Sequence, residues 1–318
     1  SRAVVAEARK KKTDLIISHH PLLFRPLKTI STNDRVGELV TMLIRNDIAL
    51  YTAHTNLDFS RPGVSFTLAE QLGLKNVHVL IPSKHMLKKI VVFVPAEHCN
   101  NVMMAMADAG AGHIGNYEQC SFQSEGNGTF AGSLRSKPFV GKAGKLERVA
   151  EIRLEMVSPS WKLQQVISAL RGAHPYEEVA YDVYSLENTS SDHGAGAIGN
   201  LEKEVTLGSF LNVVQNRLKV KAVRYSKSSR NTVKRVAVCG GSGSDLLHEA
   251  IRQRADAFVT ADVRYHTFQD AEDRLALIDA GHFETEQPSV TTIVNYLLAH
   301  CKQNHERLEI TASASSRN

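Results

Sequence analysis

Apolar residues recur along this chain in short blocks whose period keeps switching. Arg2 to Lys12 spreads Val and Ala among Glu, Lys and Arg, a pattern that predicts a helix. Leu15-Ile16-Ile17-Ser18 then predicts a short buried strand. It stops at His19-His20-Pro21, because Pro21 has no N–H for a ladder and disfavours helix in the residue before it. Gly37 to Asn46 is a second helical stretch. Ile48 to Thr52 is a second strand, running into His54-Thr55-Asn56-Leu57-Asp58. Val64 to Leu72 predicts a helix closed by Gly73, the usual place for a left-handed cap. Such helix–strand alternation predicts an α/β layer with a largely parallel sheet.

A different order begins near Lys84. Lys89 to Pro95 predicts a strand, and Glu97 to Asp108 a helix with Val102, Met103 and Met106 on one face. Asn116 to Gln123 and Thr129 to Leu134 flank Glu125-Gly126-Asn127-Gly128, which predicts a hairpin turn. Ala150 to Val157 (strand), Pro159 to Ala173 (helix) and Val179 to Leu186 (strand) complete a ferredoxin-like order. The polar stretch Asn188 to His193 predicts an exit linker.

The first pattern then returns. Helices are predicted at Leu207 to Leu218, Leu246 to Gln253 and Val290 to Lys302. Strands are predicted at Val233 to Cys239, Ala257 to Thr260 and Leu275 to Asp279. The expected architecture is one α/β domain formed by both ends of the chain, with an inserted ferredoxin-like α+β domain. Its expected parts are 1–83, the insert at 84–188, 189–310, and a frayed tail at 311–318.

Composition narrows the field. With 318 residues, 22% charged and 42% apolar, the chain has ordinary globular usage, which excludes wholesale disorder and fibrous architectures. No apolar run approaches the roughly 20 residues that cross a bilayer. The net charge is 38 − 33 = +5, without a dense basic block, which argues against nucleic-acid binding. The four cysteines are scattered singly, which argues against a disulfide framework and for a reducing, cytoplasmic setting. The chain starts at Ser1 rather than methionine, so a mitochondrial address stays open.

Three predicted strands end in ligand-type residues. His19 and His20 follow the first, His54 and Asp58 the second, and His282 and Glu286 follow Asp279-Ala280-Gly281. In open α/β sheets ligands collect outside the carboxyl ends of strands. Taken singly, each histidine reads as a satisfied polar residue. Together, His19, His20, Asp58, His282 and Glu286 point to a shared metal site. Imidazole suits Zn, Fe, Ni or Mn, and a carboxylate can bridge two ions. The spacing of His282 and Glu286 brings both onto one face of a helical turn.

Asp262-x-x-Tyr265-His266 follows another strand and offers second-sphere, acid/base or further ligand groups; Asp262 and His266 are the catalytic candidates. Gly240 to Asp245 reads as a tight strand-to-helix turn. It lacks the Gly-Lys-Ser/Thr ending of a P-loop, which argues against an NTPase. No Gly-x-Ser-x-Gly is present, and Cys239 lies within an apolar strand, so nucleophilic catalysis is disfavoured. His174-Pro175-Tyr176-Glu177-Glu178 reads equally as a ligand site or as polar turn residues.

Ser18-His19-His20-Pro21-Leu22-Leu23-Phe24, His54-Thr55-Asn56-Leu57-Asp58 and Asp279-Ala280-Gly281-His282-Phe283-Glu284-Thr285-Glu286 resemble, in order, the motifs of the NIF-three-like family, also labelled GTP cyclohydrolase I type 2 homologues. Gly110 to Tyr117, Gly128-Thr129-Phe130, Lys137 to Gly141 and His174 to Glu178 resemble its longer members. The resemblance runs from about Asp14 to Cys301. It implies a centre of two divalent metal ions at His19, His20, Asp58, His282 and Glu286, a ring-shaped homohexamer, and a PII-like insert. It also implies that a strand and helix usual in members precede Ser1. Ala197 stands where members usually have Arg, and Ala261 where Gly is usual.

Two functions are expected from this set. One is a metal-dependent hydrolase acting on a nucleotide or another phosphorylated or amide-containing metabolite, with His266 or Asp262 moving the proton. The other is a non-enzymatic regulator or metal-binding scaffold that senses a small ligand through the insert.

Overall fold

The computed structural model describes residues 1–315 apart from 191, 228 and 230. Residues 316–318 of the predicted tail and residue 191 of the predicted linker therefore lie outside the described residues. The chain divides into two compact units, Ser1–Pro82 with Ser191–Asn318, and Ser83–Ser190.

The first unit opens with α1 (Arg2–Lys11), β1 (Leu15–Ser18), α2 (Arg35–Arg45), β2 (Ala49–Thr52), α3 (Thr55–Asp58), α4 (Val64–Gln71) and β3 (Lys75–Pro82). The second holds β4 (Leu87–Pro95), α5 (Cys99–Asp108), β5 (Ser121–Ala131), β6 (Leu146–Pro159), α6 (Leu163–Ala173) and β7 (Tyr181–Ser185). The first unit resumes with β8 (Gly194–Thr206), α7 (Leu207–Leu218), β9 (Arg224–Tyr225), β10 (Thr232–Ser242), α8 (Leu247–Arg252) and β11 (Ala257–Ala261). It ends with α9 (Tyr265–Ala271), β12 (Ala276–Asp279), α10 (His282–Glu286) and α11 (Pro288–Gln303).

In the first unit β1 and β2 form a separate parallel pair. The main sheet has the order β3-β8-β10-β11-β12-β9. The expectation of a largely parallel sheet needs correction. Only β10–β11 and β11–β12 pair in parallel, while β3–β8, β8–β10 and β12–β9 are antiparallel. β8 has a glycine-rich start at Gly194 and lacks the apolar run that marks β11, while β3 does carry one in Val79-Leu80-Ile81, behind the polar Lys75, Asn76 and His78.

Helices cover both faces of this sheet, because successive side chains on a strand point to opposite sides. Val236, Val238, Val259 and Ile278 pack against Leu68 and Leu72 of α4 and Phe210 and Val214 of α7. Ala237, Phe258 and Leu277 pack on the other face, with Leu247 and Ala250 of α8 and Ala271 of α9. Double-sided burial explains why β11 and β12 read as unbroken apolar runs. The β1–β2 pair has its own cluster, in which Val5, Ala8, Leu39 and Leu43 hold Ile48. Among the described residues no helix is long and apolar enough to cross a membrane.

The second unit is an antiparallel sheet of order β5-β6-β4-β7. Ile90, Val92, Val94, Leu154 and Met156 face Val102 and Met106 of α5 and Val166 and Leu170 of α6. The hairpin turn predicted at Glu125 to Gly128 is absent. These residues lie inside β5, paired in unbroken register with β6 from Ser121↔Met156 to Ala131↔Leu146. Neither Gly126 nor Gly128 has the positive φ that hairpin turns require. Gly128 serves a close approach instead, since a Cβ there would lie 2.0 Å from Glu151 Oε2.

The backbone N–H of Ser190 donates to Ser83 O at 3.0 Å, so the entry and exit of the second unit meet. Replacing residues 84–188 with a short Gly/Ser link should therefore leave the remaining unit folded, since the loop to be closed is short. Retention of a cooperative thermal transition and of the native far-ultraviolet dichroism would show this; an unfolded product would refute it.

Candidate metal centre

β10, β11 and β12 run in parallel, so their carboxyl ends share one edge. The β1–β2 pair ends likewise, in the register Ser18↔Thr52, and the Ala53 N–H continues it to Ser18 O at 2.8 Å. Four segments thus deliver polar residues after a strand, His19–His20, His54–Asp58, Asp262 and His282–Glu286, and Gly241 lies at the end of β10 beside them.

Local bonds aim each side chain. His19 Nδ1 lies 2.7 Å from Ala53 O. A ring nitrogen facing a carbonyl must carry the proton, which leaves Nε2 as the free donor of electrons. His282 opens α10, and its Nδ1 lies 2.6 Å from Asp262 Oδ2. The carboxylate fixes the same tautomer there. Asp262 itself has φ 54, a left-handed conformation that Asp tolerates better than most residues. Ser18 Oγ donates to His20 O at 2.9 Å and pins the turn after β1.

The free nitrogens converge on Glu286. Its Oε1 lies 2.9 Å from His282 Nε2 and 3.4 Å from His19 Nε2; its Oε2 lies 3.3 Å from His20 Nε2. His19 Nε2 is also 3.4 Å from Asp58 Oδ1. His20 Nε2 and His282 Nε2 face each other at 3.3 Å. Two groups of ligand atoms have the compactness a metal ion needs: His19, His20 and His54, and His20, His282 and Glu286.

The electrostatics follow from this crowding. Burial pulls the His19 imidazole down, but the Glu286 and Asp58 carboxylates overcome it and hold the pKa above its ordinary value. Burial likewise opposes His282, and Asp262 and Glu286 outweigh it, so it too is raised. His20 is lowered by burial and by its three histidine neighbours, despite Glu286. Burial pushes the Asp58 carboxyl up. Burial also raises that of Glu286, but the histidines prevail and leave it lowered.

Three observations fit these residues to a cation. His19 Nε2 and Asp58 Oδ1 are buried without a hydrogen-bond partner, a costly state for polar atoms unless another ligand satisfies them. The donor set of imidazole and carboxylate suits a divalent transition metal. Gly241, with φ 65, borders the cluster, and a Cβ there would lie 2.4 Å from Glu286 Oε1 and 3.1 Å from His282 Nε2. The gap left by that missing side chain is held open by buried hydroxyls. Gly241 N–H donates to Thr285 Oγ1 at 3.0 Å, and Thr260 Oγ1 donates to Gly241 O at 3.0 Å.

All five ligand candidates thus lie together, and Asp262 joins them by holding His282. His266 does not. It is exposed at the start of α9, with its Nδ1 3.4 Å from Gln269 Oε1 and its ring against Tyr265, and among the described residues no hydrogen bond, ion pair or ring contact joins it to the cluster. Val263 anchors the chain through its N–H to Asp279 Oδ2 at 3.1 Å, after which α9 begins at Tyr265. His54, outside the expected ligand set, also reaches the cluster: its ring lies 5.3 Å from His19 and 5.4 Å from His20. Its position four residues before Asp58 was the available signal. Gly241 read only as part of a turn, because a glycine shows nothing of what approaches it. The structure places Ala197 at zero exposure in the core, against α4 and α7.

These features define a mixed α/β protein with a histidine–carboxylate cluster able to hold metal. The sequence model of the family described as Duf34/NIF3 (NGG1p interacting factor 3) matches residues 1–318, and the chain belongs to that family. It is 42% identical over 318 residues to the "GTP cyclohydrolase 1 type 2 homolog" of Bacillus subtilis (strain 168), spanning 99% of this chain and 85% of that one. The protein of the same name from Mycobacterium tuberculosis (strain ATCC 25618 / H37Rv) is 40% identical over 292 residues, covering 90% and 77%. Among solved structures, a Bacillus cereus protein related to NIF3 superposes with a TM-score of 0.84 at 43% identity, covering 98% and 84%. Staphylococcus aureus protein SA1388 gives 0.72 at 27%, covering 99% and 84%.

Two outcomes are expected at the cluster's border. Thr285→Val keeps the shape but leaves the buried Gly241 N–H unpaired, which should cost about 1–3 kcal/mol in denaturant unfolding of the metal-free protein. No loss would mean that Gly241 finds another acceptor. Burial pushes the Cys239 thiol up to about 12, so alkylation near neutral pH should be slow in the folded protein and rapid after unfolding. Rapid labelling of the folded chain at Cys239 would contradict this.

Proposed function

We propose that this protein is a dinuclear metal-dependent hydrolase. The observation that carries the proposal is the reach of Glu286, whose two oxygens face different imidazoles and so suit a bridge between two ions. His19, His20, Asp58, His282 and Glu286 would hold them, with His54 as a further ligand. When bound, such a pair supplies Lewis acidity and clamps a displacement at a phosphoryl or carbonyl centre.

The chain's own residues prepare the site. Ala53 O and Asp262 fix the tautomers of His19 and His282, so that both Nε2 atoms face Glu286 without reorganisation. Gly241 leaves room beside Glu286. His266, lacking contact with the cluster, is not assigned the proton transfer. The substrate class is a nucleotide or another phosphorylated or amide-containing metabolite, in keeping with the cyclohydrolase-homologue name of the relatives.

The second unit is proposed to be a PII-like insert. Its strand–helix order and its sheet order β5-β6-β4-β7 support that reading. A homohexamer is proposed with it, to be measured by sedimentation. A non-enzymatic regulator is the competing reading, favoured by the cavity of the second unit described below. A screen of metal-loaded protein against phosphoesters, nucleotides and cyclic amides separates the two, because a regulator releases no product.

Metal content tests the ligands independently of turnover. Purified protein should carry close to two transition-metal ions per chain, and Glu286→Ala should lose most of them by elemental analysis, since a bridging carboxylate serves both. Full metal content in that variant would remove Glu286 from the ligand set. Asp262→Asn should keep the site but weaken metal affinity by about 10–100-fold, the usual effect of losing a histidine's orienting carboxylate. His266→Ala should retain all metal; losing it would place His266 among the ligands.

A further inference from the structure

The second unit contains a cavity of about 610 Å³ that the metal cluster does not use. It lies on the face of the sheet turned away from α5 and α6. Ile90, Val92, Val94 and Leu154 point to the helices, so their neighbours Phe93 and Arg153 point the other way. Ser124 pairs with Arg153 and Gly126 with Glu151, which puts β5 on the same floor. One wall is the 132–145 loop, which carries Phe139; the other is the segment from Tyr176 to Ala180. Lys137 N–H donates to Glu177 Oε1 at 3.1 Å and ties the two walls together.

Two kinds of group dominate the lining. Four aromatic rings enclose it, those of Phe93, Phe130, Phe139 and Tyr176. Tyr176 stands between Phe130 and Phe139, with centroid distances of 6.3 and 6.1 Å and tilts of 55° and 46°. Four glutamates line it as well, Glu125, Glu151, Glu177 and Glu178, against one arginine. That guanidinium is already paired with a neighbouring carboxylate. Arg153 Nε donates to Glu155 Oε1 at 2.8 Å, and its carbon sits 5.9 Å above the Phe93 ring.

The remaining polar groups hold this arrangement. Buried His174 is saturated: its Nε2–H donates to Phe93 O at 3.0 Å, and its Nδ1 accepts from Tyr176 N–H at 3.1 Å. It is therefore a strut that sets Tyr176, not a ligand. The Tyr176 hydroxyl donates to Glu151 Oε1 at 2.9 Å. Burial and the Glu151 charge push that phenol well above its ordinary pKa, so it remains a neutral donor. Glu151 Oε2 leans over Gly128, where any side chain would displace it.

We propose that this cavity binds an organic cation, a protonated or quaternary amine on a small apolar body. Aromatic faces attract cations through the ring quadrupole, and the excess of carboxylates adds to that attraction while repelling phosphates and carboxylates. The volume lies in the range of small-molecule sites. A nucleotide carries the wrong charge for this lining. The proposal stands apart from the metal site, and metal content serves as a control for it.

Benzyltrimethylammonium is a suitable probe, with benzoate as the anionic control of similar size and adenosine monophosphate as the phosphate control. Ligand-observed NMR and calorimetry on the full chain should show saturable binding of the cation and none of either anion. Phe139 is half exposed on its loop, so Phe139→Ala should preserve the fold and weaken binding about two- to fivefold. Glu151→Gln keeps an acceptor for Tyr176 and should weaken binding at least about tenfold. Metal content should be unchanged in both variants. The proposal is overturned if an anion binds as tightly as the cation, if no saturable binding occurs, or if neither variant affects it. It is equally overturned if the cation is shut out and Phe139→Ala dissociates an oligomer, because the face would then be an interface between copies of this chain.

Discussion

A mostly covered carboxylate facing three imidazole nitrogens is the constraint around which the first unit is arranged. Glu286 is only 12% exposed, and its two oxygens are within 3.4 Å of His19, His20 and His282. Such a group is costly to bury unless it is matched by positive charge or hydrogen bonds. The surroundings supply these by fixing the histidine tautomers from behind, through Ala53 O and Asp262. They also keep side chains away from the front, where Gly241 passes. The polar atoms that remain unmatched, His19 Nε2 and Asp58 Oδ1, are those best explained by a cation.

The backbone geometry around this point is correspondingly specific. Thr260 and Thr285 clamp Gly241 from two elements, one at the end of β11 and one within α10. Asp262 adopts a left-handed conformation directly after β11. Departures from local preference are expected where structure serves a site, because the rest of the fold must hold them in place. The rest here is an apolar sheet covered on both faces by helices, a support that scarcely yields.

The second unit uses a sheet differently. One face is buried by two helices and the other carries Phe93, Arg153 and Glu151 with glycines beside them. The same alternation that builds the core therefore sorts the aromatic and charged residues onto the free face. Glycines that suggested a turn instead clear space for a carboxylate.

Much of this was legible in sequence, and the limits have physical reasons. Short apolar runs ending in His, Asp and Glu identified β1, β2 and β12 and the residues that follow them. β12 is buried throughout, so its end shows as an abrupt change, whereas β1, expected to be buried, exposes Leu15 and Ile17, and β2 exposes Tyr51. Periodicity did not reveal β8, whose glycine-rich start becomes a strand only when paired with neighbours distant in the chain; β3 carries a local signal in Val79-Leu80-Ile81 that the helix–strand alternation before it obscures. It could not tell the glycines of β5 from a turn, since both uses need the absence of a side chain. It could not separate His266 from His54 either: both follow strands, and only the packing of α9 turns one outward while the β1–β2 pair brings the other against His19 and His20. Local sequence thus determined which residues stand at strand ends. Tertiary structure decided which of those ends meet, because that depends on the order and direction of strands in the sheet.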